Sequence, residues 1–183
     1  MTGRIVWSEY IALDGVVEEP GEWSIPFFSD DLARYKNDEL LTSDALLLGR
    51  ITYEAFATAW PEMEETEGDF AVRMNTLPKY VVSTTLEKAE WHNSTIIADN
   101  VVDEITKLKQ GSGHDILIGG SGDLAQTLIA SGLIDEIRML VHPIVVGKGK
   151  RLFEGADTAI ELNLVDTERF ESGVVALVYR SGS

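Results

Sequence analysis

An apolar strand that runs directly into a glycine turn and then a helix is the feature that most constrains this chain. The strand ends at Ile118, the turn is Gly119-Gly120-Ser121-Gly122, and a helical pattern extends from Asp123 to Ser131. The first N–H groups of a helix have no partner within it, and the helix dipole favours negative charge there. This order of strand, glycine turn and helix predicts one of two things. It forms either an anion site, whose usual occupant is phosphate, or a tight connection that binds nothing.

Strands alternate with helical patterns up to about residue 131, and strands alone follow. Short apolar runs at 45–48 and 80–82 lie between helical segments, which is typical of a largely parallel sheet with helices on both faces. Ligands of such sheets bind at the carboxyl ends of the strands. The ends at Asp14-Gly15, Gly49-Arg50, Ser83-Thr84 and Gly119-Gly120 are therefore expected at one edge.

The last third of the chain predicts antiparallel structure. Segments 160–170 and 174–180 alternate apolar and polar residues around Ser172-Gly173, which indicates a terminal hairpin. A long strand is predicted over 137–146, with a bulge or an edge position at Pro143. Residues 18–26, with two prolines, are predicted to form a loop.

Composition indicates one globular domain over residues 1–183. The chain is 44% hydrophobic and 25% charged, which is ordinary for a compact domain. It contains no cysteine, so disulfides, thiolate catalysis and zinc–thiolate sites are excluded. No apolar run is long enough for a membrane span and the first residues do not resemble a signal peptide, so a cytoplasmic location is expected.

The formal net charge of −16, from 15 Lys+Arg against 31 Asp+Glu, predicts that neither nucleic acid nor an anionic membrane is a partner. The acidic surface is interpreted as solubilising. An anionic cofactor therefore needs a local positive site, which draws attention to any arginine beside a glycine turn.

One such arginine follows the strand at 45–48. Gly49 ends that strand, Arg50 follows, and Thr52 lies in the first turn of the next helix. An arginine beside helix N–H groups is a good phosphate clamp, although a surface arginine after a turn is the alternative. Ser83 and Thr84 at another strand end either donate to a phosphate or cap the next segment.

Taken in order, these motifs resemble the dihydrofolate-reductase-like superfamily. The residues that carry the resemblance are Leu48–Glu54, Val81–Thr84 and Ile118–Gly122, with Ala12–Gly15 and Val141–Phe153 pointing to one branch. That branch is the reductase domain of the bacterial riboflavin-biosynthesis deaminase–reductase and its stand-alone relatives. The resemblance implies a three-layer α/β fold with a mixed, mostly parallel sheet and a C-terminal antiparallel hairpin.

The resemblance also implies NADPH as the cofactor, bound at the strand ends. Arg50 is expected near the 2′-phosphate, and the backbone around Ala12 is expected to face the nicotinamide carboxamide. The implied cofactor-binding residues are Ala12, Gly49, Arg50, Thr52, Ser83, Thr84, Gly119, Gly120, Ser121, Gly122, Asp123 and Leu124. Asp123 departs from the pattern, because an acid at a helix start caps the helix but repels a phosphate placed too close.

On the substrate side, the helix beginning near Asp31 resembles the one that carries the substrate-binding carboxylate of dihydrofolate reductases. Asp31 is therefore predicted as a catalytic and substrate-binding acid, with a helix N-cap as the alternative. Asp14 either faces the nicotinamide as a second catalytic acid or is a turn residue. Trp23 either stacks on a substrate ring or packs its loop into the core.

The basic cluster near residue 150 and the three histidines do not predict a definite site. Lys148, Lys150 and Arg151 either receive a substrate phosphate or form a solvated loop. The three histidines are too dispersed along the chain to predict a metal site.

Together these features predict a NADPH-dependent reductase that transfers hydride to a small heterocyclic substrate. The first candidate substrate is the ribosylated aminopyrimidine of riboflavin synthesis, of the 5-amino-6-(5-phosphoribosylamino)uracil type. Dihydrofolate reduction and a non-catalytic dinucleotide-binding module are the alternatives. By resemblance, a homodimer is expected through the C-terminal strands, whose edges need covering.

Overall fold

Eight strands form one sheet in the computed structural model, which describes residues 2–181. The strands are β1 (Arg4–Ala12), β2 (Ser43–Gly49), β3 (Lys79–Val82), β4 (Ser94–Ile97), β5 (Asp115–Gly119), β6 (Glu136–His142), β7 (Leu162–Arg169) and β8 (Val175–Ser181). Their order in the sheet is β4-β3-β2-β5-β1-β6-β8-β7. Of the predicted domain 1–183, only Met1, Gly182 and Ser183 lie outside the described residues.

The first six strands run parallel and the last two form the antiparallel part. Strand β8 pairs antiparallel with both β6 and β7, whereas the five other strand pairs are parallel. The predicted mixed, mostly parallel sheet with a C-terminal hairpin is confirmed. Strand β7 occupies one edge of the sheet and is exposed along almost its whole length.

Seven α-helices connect the strands and cover both faces of the sheet. They are α1 (Pro20–Trp23), α2 (Asp30–Leu41), α3 (Arg50–Ala59), α4 (Glu64–Glu67), α5 (Asp69–Thr76), α6 (Val101–Gly111) and α7 (Gly122–Ala130). Short 3₁₀ turns occupy Ile25–Phe27 and Trp60–Glu62. None of the helices within residues 2–181 has the length and apolar character that a membrane crossing requires.

Alternation along β1 assigns its side chains to two cores, because successive strand residues point to opposite faces. Ile5 and Trp7 pack with Ile105 of α6 and Leu124 of α7, and this side is called the α7 face. Val6 packs with Leu40 of α2 on the opposite side, which is called the α2 face. A site at the end of β1 therefore lies between two helical layers.

Two local predictions are wrong. Strand β6 ends at His142 rather than continuing to residue 146, because Pro143 has no N–H to donate to a neighbouring strand. The segment 18–26 is not an irregular loop, since it contains α1 and the start of a 3₁₀ turn. Pro20 and Pro26 each lie in the first turn of these short helices, where the missing N–H costs nothing.

Candidate cofactor site at the carboxyl ends of the strands

The carboxyl ends of β1, β2, β3 and β5 lie along one edge of the sheet, which is called the carboxyl-end rim. Gly49 of β2 pairs in register with Val82 of β3, and Ser8 of β1 pairs with Gly119 of β5. Strand β1 then continues beside β6 to Ala12, opposite His142. The strand ends that were predicted to converge therefore do so.

The turn Gly119–Gly122, called the glycine turn, is held in place by its neighbours. Gly120 and Ser121 both have positive φ, at 59° and 53°, a conformation that glycine adopts without steric cost. The Trp7 indole N–H donates to the Gly120 carbonyl at 2.9 Å, and the Gly120 N–H donates to the Ser8 carbonyl at 3.0 Å. These bonds fix the turn before any ligand arrives.

Helix α7 starts directly from this turn. Its first helical hydrogen bond runs from the Ala125 N–H to the Ser121 carbonyl at 3.0 Å. The N–H groups of Gly122, Asp123 and Leu124 therefore precede the hydrogen-bonded part of the helix. A Cβ on Gly122 would lie 3.0 Å from a methyl group of Leu152, in the loop around residues 147–152, which is called the covering loop, so a larger residue there would require Leu152 to shift. The donor set and the bare backbone fit the phosphates of a dinucleotide.

A direct hydrogen bond joins the glycine turn to the turn at Gly49-Arg50, which is called the arginine turn. The Gly49 N–H donates to the Ser121 Oγ at 3.0 Å, and Gly49 is the N-cap of α3. Thr52, in the first turn of α3, has its Oγ1 at 3.6 Å from the position of a Cβ on Gly120. The N-termini of α3 and α7 are therefore adjacent, although more than 70 residues separate them in sequence.

Arg50 lies on the same rim as the paired glycines. Its guanidinium extends along α3 and donates to the Glu54 carboxylate at 3.1 Å, and both side chains are about half exposed. An exposed ion pair of this spacing is worth only about 0.3–0.5 kcal/mol, so a phosphate is able to replace Glu54 as the partner. The role of Arg50 at a 2′-phosphate stays a prediction.

Asp123, the acid that departs from the expected pattern, does not cap α7. Ser121 is the N-cap residue, and the Asp123 carboxylate pairs with the Lys150 ammonium at 2.6 Å. Lys150 thus offsets the negative charge at the helix start, which reduces the expected repulsion of an anion. The loop that carries Lys150 also accepts a hydrogen bond from the Gln126 side chain at the Leu152 carbonyl.

The other predicted cofactor residues have partners of their own. The Ser83 Oγ accepts hydrogen bonds from the N–H groups of Thr85 and Leu86 at 3.2 and 2.9 Å, so the structure shows the capping alternative for Ser83. Thr84 is exposed beside it. The N–H of Ala12 donates to the Val16 carbonyl, and its carbonyl accepts from Gly15, each at 2.9 Å. A carboxamide contact at Ala12 has to compete with these bonds.

Both acids predicted to be catalytic hold loops together. Asp14 accepts from the N–H groups of Val146 and Gly147 at 3.3 and 2.8 Å. The Gly147 hydrogen bond is the main cause that lowers the pKa of Asp14. Asp31 accepts from Leu32 and Glu171 N–H groups at 2.9 and 2.8 Å.

A hydrogen bond from the Ser29 hydroxyl is the main cause that lowers the pKa of Asp31. A lowered pKa keeps a carboxyl group ionised at neutral pH, so neither Asp14 nor Asp31 holds a proton ready to donate. Their catalytic roles stay predictions. Trp23 is buried, its indole N–H donates to the Glu18 carbonyl at 2.9 Å, and its ring packs edge-on against His142.

The sequence analysis missed one acid at this rim, Glu9. It is only 5% exposed, and its carboxyl oxygens lie 3.9 Å from the Cβ positions of Gly120 and Gly122. Burial raises the pKa of Glu9 from 4.5 to about 8, partly offset by the charge of Lys36. A pair of polar residues, Ser8 and Glu9, inside an otherwise apolar strand was the signal in the sequence.

The chain matches a known protein family over nearly its whole length. The model of the RibD C-terminal domain family matches residues 4–176, so the chain belongs to that family. It is 35% identical over 179 residues to YyaP, an uncharacterized protein of Bacillus subtilis strain 168, covering 96% of this chain and 94% of YyaP. The branch predicted from the motifs is confirmed.

Solved structures show the same fold. A Shewanella sp. PV-4 protein, whose name places it provisionally in riboflavin biosynthesis, matches with a TM-score of 0.78 at 20% identity over the full length of both chains. The deaminase/5-amino-6-(5-phosphoribosylamino)uracil reductase of Thermotoga maritima matches with a TM-score of 0.70 at 15% identity, over 99% of this chain and 57% of that one.

Dihydrofolate reductase from Enterococcus faecalis, in a complex with NADP(H), matches with a TM-score of 0.61 at 18% identity, covering 100% of this chain and 99% of that chain. The fold is therefore dihydrofolate-reductase-like, as predicted.

Proposed function

We propose that this domain is an oxidoreductase that uses NADPH to reduce a small heterocyclic molecule. Membership of the RibD C-terminal domain family and the fold shared with reductases support the class. The observation that carries the proposal is the hydrogen bond between the Gly49 N–H and the Ser121 Oγ. It makes one continuous binding edge from an arginine turn and a glycine turn.

Different residues of the carboxyl-end rim bind different parts of the cofactor. The N–H groups that begin α7 hold the pyrophosphate, and Thr52 reaches the same position from α3. Arg50 exchanges Glu54 for the 2′-phosphate and thereby selects NADPH over NADH. Ser83 and Thr84 line the adenosine side, and the end of β1 near Ala12 faces the nicotinamide. The bound cofactor supplies the hydride.

The first candidate substrate is a ribosylated aminopyrimidine of riboflavin synthesis. The family model and the Thermotoga maritima reductase, whose name states that activity, support it. Two of the cations considered for a substrate phosphate already have partners, since Lys150 pairs with Asp123 and Arg151 lies 3.7 Å from Asp14. Lys148, exposed in the same loop, is the cation that we assign to the substrate phosphate.

Replacement of Arg50 by alanine tests the cofactor assignment. We expect Arg50→Ala to weaken NADPH binding by about tenfold or more, because a charge-assisted bond to the 2′-phosphate is lost, and to change NADH binding by less than about twofold. Isothermal titration calorimetry measures both. Arg34→Ala, which removes an exposed arginine of α2, is the matched control. Equal weakening of both dinucleotides would refute the 2′-phosphate role.

Turnover separates an enzyme from a binding module. We expect NADPH oxidation with the phosphoribosylaminopyrimidine in a panel that also contains dihydrofolate and simple carbonyl compounds. Turnover of dihydrofolate alone would assign the alternative activity. Tight NADPH binding without turnover of any member would contradict the enzymatic proposal.

We also propose that the domain forms a homodimer through its C-terminal strands. Strand β7 lies at the edge of the sheet, and its Leu164 and Val165 side chains are about half exposed. An exposed edge strand with apolar side chains favours a further pairing. Light scattering with size-exclusion chromatography is expected to give twice the 20.2 kDa chain mass. A single-chain mass at micromolar concentration would contradict it.

A further inference from the structure

Glu9 is a buried acid that the proposed function has not used. It follows Trp7 by two residues on β1, so the two side chains share the α7 face. The Trp7 indole N–H donates to the Gly120 carbonyl, and the Glu9 carboxyl oxygens lie 3.9 Å from the positions of a Cβ on Gly120 and on Gly122. The carboxyl group is thus beside the turn to which the proposed function assigns the pyrophosphate.

The charged groups around Glu9 do not neutralise it. Lys36 is the cation that lowers its pKa, but Lys36 belongs to the α2 face, where its ammonium donates to Ser8 and to the Glu39 carboxylate. On the α7 face, Lys150 is paired with Asp123. Within residues 2–181, Glu9 itself forms no ion pair.

The remaining elements packed near Glu9 contribute uncharged groups. Strand β6 places Met139 in register beside it, α3 contributes Thr52 at the glycine turn, and the covering loop contributes Leu152. Farther along that loop, Arg151 contacts Asp14 and donates to the Asp14 carbonyl. An anion that binds at the glycine turn therefore adds negative charge beside a carboxyl group that forms no ion pair among the described residues, since Lys150 is already paired with Asp123.

We infer that Glu9 binds a proton when a dinucleotide phosphate occupies the glycine turn, so that cofactor binding is coupled to proton uptake. This inference rests on the proposed function. A phosphate at the glycine turn and an ionised carboxyl group buried beside that turn repel each other, and protonation of the carboxyl group removes the repulsion. A protonated Glu9 makes the turn a better phosphate site, and an ionised Glu9 makes it a worse one.

The coupling has a defined pH window. Because burial raises the pKa of Glu9 to about 8, the free protein is mostly protonated there at pH 7 and mostly ionised at pH 9.5. The effect of Glu9 on affinity is then constant below about pH 7, and above pH 8 it lowers affinity by up to tenfold per pH unit. The absence of cysteine removes thiols from this window, and the 2′-phosphate titrates near pH 6, below it. Lys79, whose pKa burial lowers to about 8, lies at the opposite end of β3 and is unchanged in Glu9 variants.

Calorimetry of NADPH binding in buffers of different ionisation enthalpy tests the coupling, since it counts protons taken up without any substrate. At pH 8 the wild-type protein is expected to take up about half a proton per NADPH, from the fraction of Glu9 that is ionised. From pH 8 to pH 9.5 its dissociation constant is expected to rise by more than about tenfold.

Three variants sharpen the test. Glu9→Gln is expected to abolish the uptake and to bind NADPH equally well from pH 7 to pH 9.5. Glu161→Gln, at an exposed position before β7, is the matched control and is expected to behave as the wild type. If Glu9→Gln does not fold, Glu9→Leu and the proton count of the wild type itself remain decisive.

The outcomes separate this inference from the proposed function. NADPH binding by the wild type without proton uptake, or with uptake that persists in Glu9→Gln, would overturn the role of Glu9 and leave the reductase proposal standing. Failure of the wild type to bind any dinucleotide at pH 7, where Glu9 is protonated, would overturn both.

Discussion

The two ends of the parallel strands treat charge in opposite ways. At the amino ends, Arg4 lies between Asp115 and Glu136, with N–O distances of 2.8 and 3.2 Å, and Glu136 also pairs with Arg138 and Arg180. At the carboxyl ends, Glu9 is buried with no ion pair among the described residues, beside helix N–H groups that precede the first turn of α7. The amino ends thus pair their buried charges within the fold, whereas the carboxyl ends leave one buried acid without an ionic partner in the described part of the chain.

In a fold of this type, a buried acid without an ionic partner is a better candidate for a functional group than a paired one. Leaving such an acid unpaired is costly, because nothing in the interior compensates its charge. The amino-end network continues onto the α2 face, where Arg138 contacts the Glu39 carboxylate at 3.3 Å and Lys36 binds the same acid. The contrast in ion pairing therefore predicts how substitutions at each end of the parallel strands change the stability of the protein.

The largest expected effect is the cost of the unpaired acid at high pH. The unfolded chain releases the Glu9 proton near pH 4.5, whereas the raised pKa keeps it bound in the folded protein to about pH 8. The stability from this group is thus complete below pH 4.5 and is lost as the pH rises to about 8. We expect the free energy of unfolding of Glu9→Gln, relative to wild type, to rise by about 4 kcal/mol from pH 5 to pH 9. Urea denaturation at each pH measures the free energies of unfolding of both proteins. A difference between them that does not change with pH would contradict the cost assigned to the unpaired Glu9.

Loss of a paired charge at the other end is expected to cost slightly less. Arg138→Met leaves the buried Glu136 and Glu39 carboxylates each with one partner fewer, so unfolding at pH 7 should become easier by about 3 kcal/mol. The value is at the low end for a buried pair because Glu136 retains Arg4 and Glu39 retains Lys36. Urea denaturation again provides the measurement. Arg34→Met, at an exposed position of α2, should change stability by less than about 0.5 kcal/mol, and a similar cost for both variants would contradict the network.

A smaller effect is expected where the rim is assembled. Ser121→Ala removes the acceptor of the Gly49 N–H, which should lower stability by about 1 kcal/mol and NADPH affinity by about fivefold. Calorimetry at pH 7 measures the affinity. Ser131→Ala, which removes an exposed hydroxyl at the end of α7, is the matched control. Unchanged NADPH affinity in Ser121→Ala would show that the junction of the two turns is not needed.

Much of the fold was predictable because its signals are local. Apolar runs ending in glycine marked β2 and β5, and the alternation around Ser172-Gly173 marked the hairpin. The end of β6 was not predicted, because the apolar pattern continues through Pro143 although its hydrogen bonding does not. Strand order was accessible only through the family resemblance, since the pairing of β1 with β5 and β6 depends on contacts distant in sequence.

The candidate site was predictable in its backbone and less so in its acids. Glycine, serine and arginine at strand ends predict a phosphate site, because such a site depends mainly on local backbone geometry. Whether Asp14 or Asp31 is available to a ligand depends on hydrogen bonds from Gly147 and Glu171, which lie more than 130 residues away in sequence. The position of Glu9 beside Gly120 and Gly122 likewise depends on residues more than 110 positions away in sequence, so its burial emerges only from the packed structure.

A crystal structure of the protein with NADPH is the decisive measurement. We expect the pyrophosphate on the N–H groups of Gly122, Asp123 and Leu124, with the Arg50 guanidinium turned from Glu54 to the 2′-phosphate. A dinucleotide bound away from the glycine turn, or bound there with Arg50 still paired to Glu54, would contradict it.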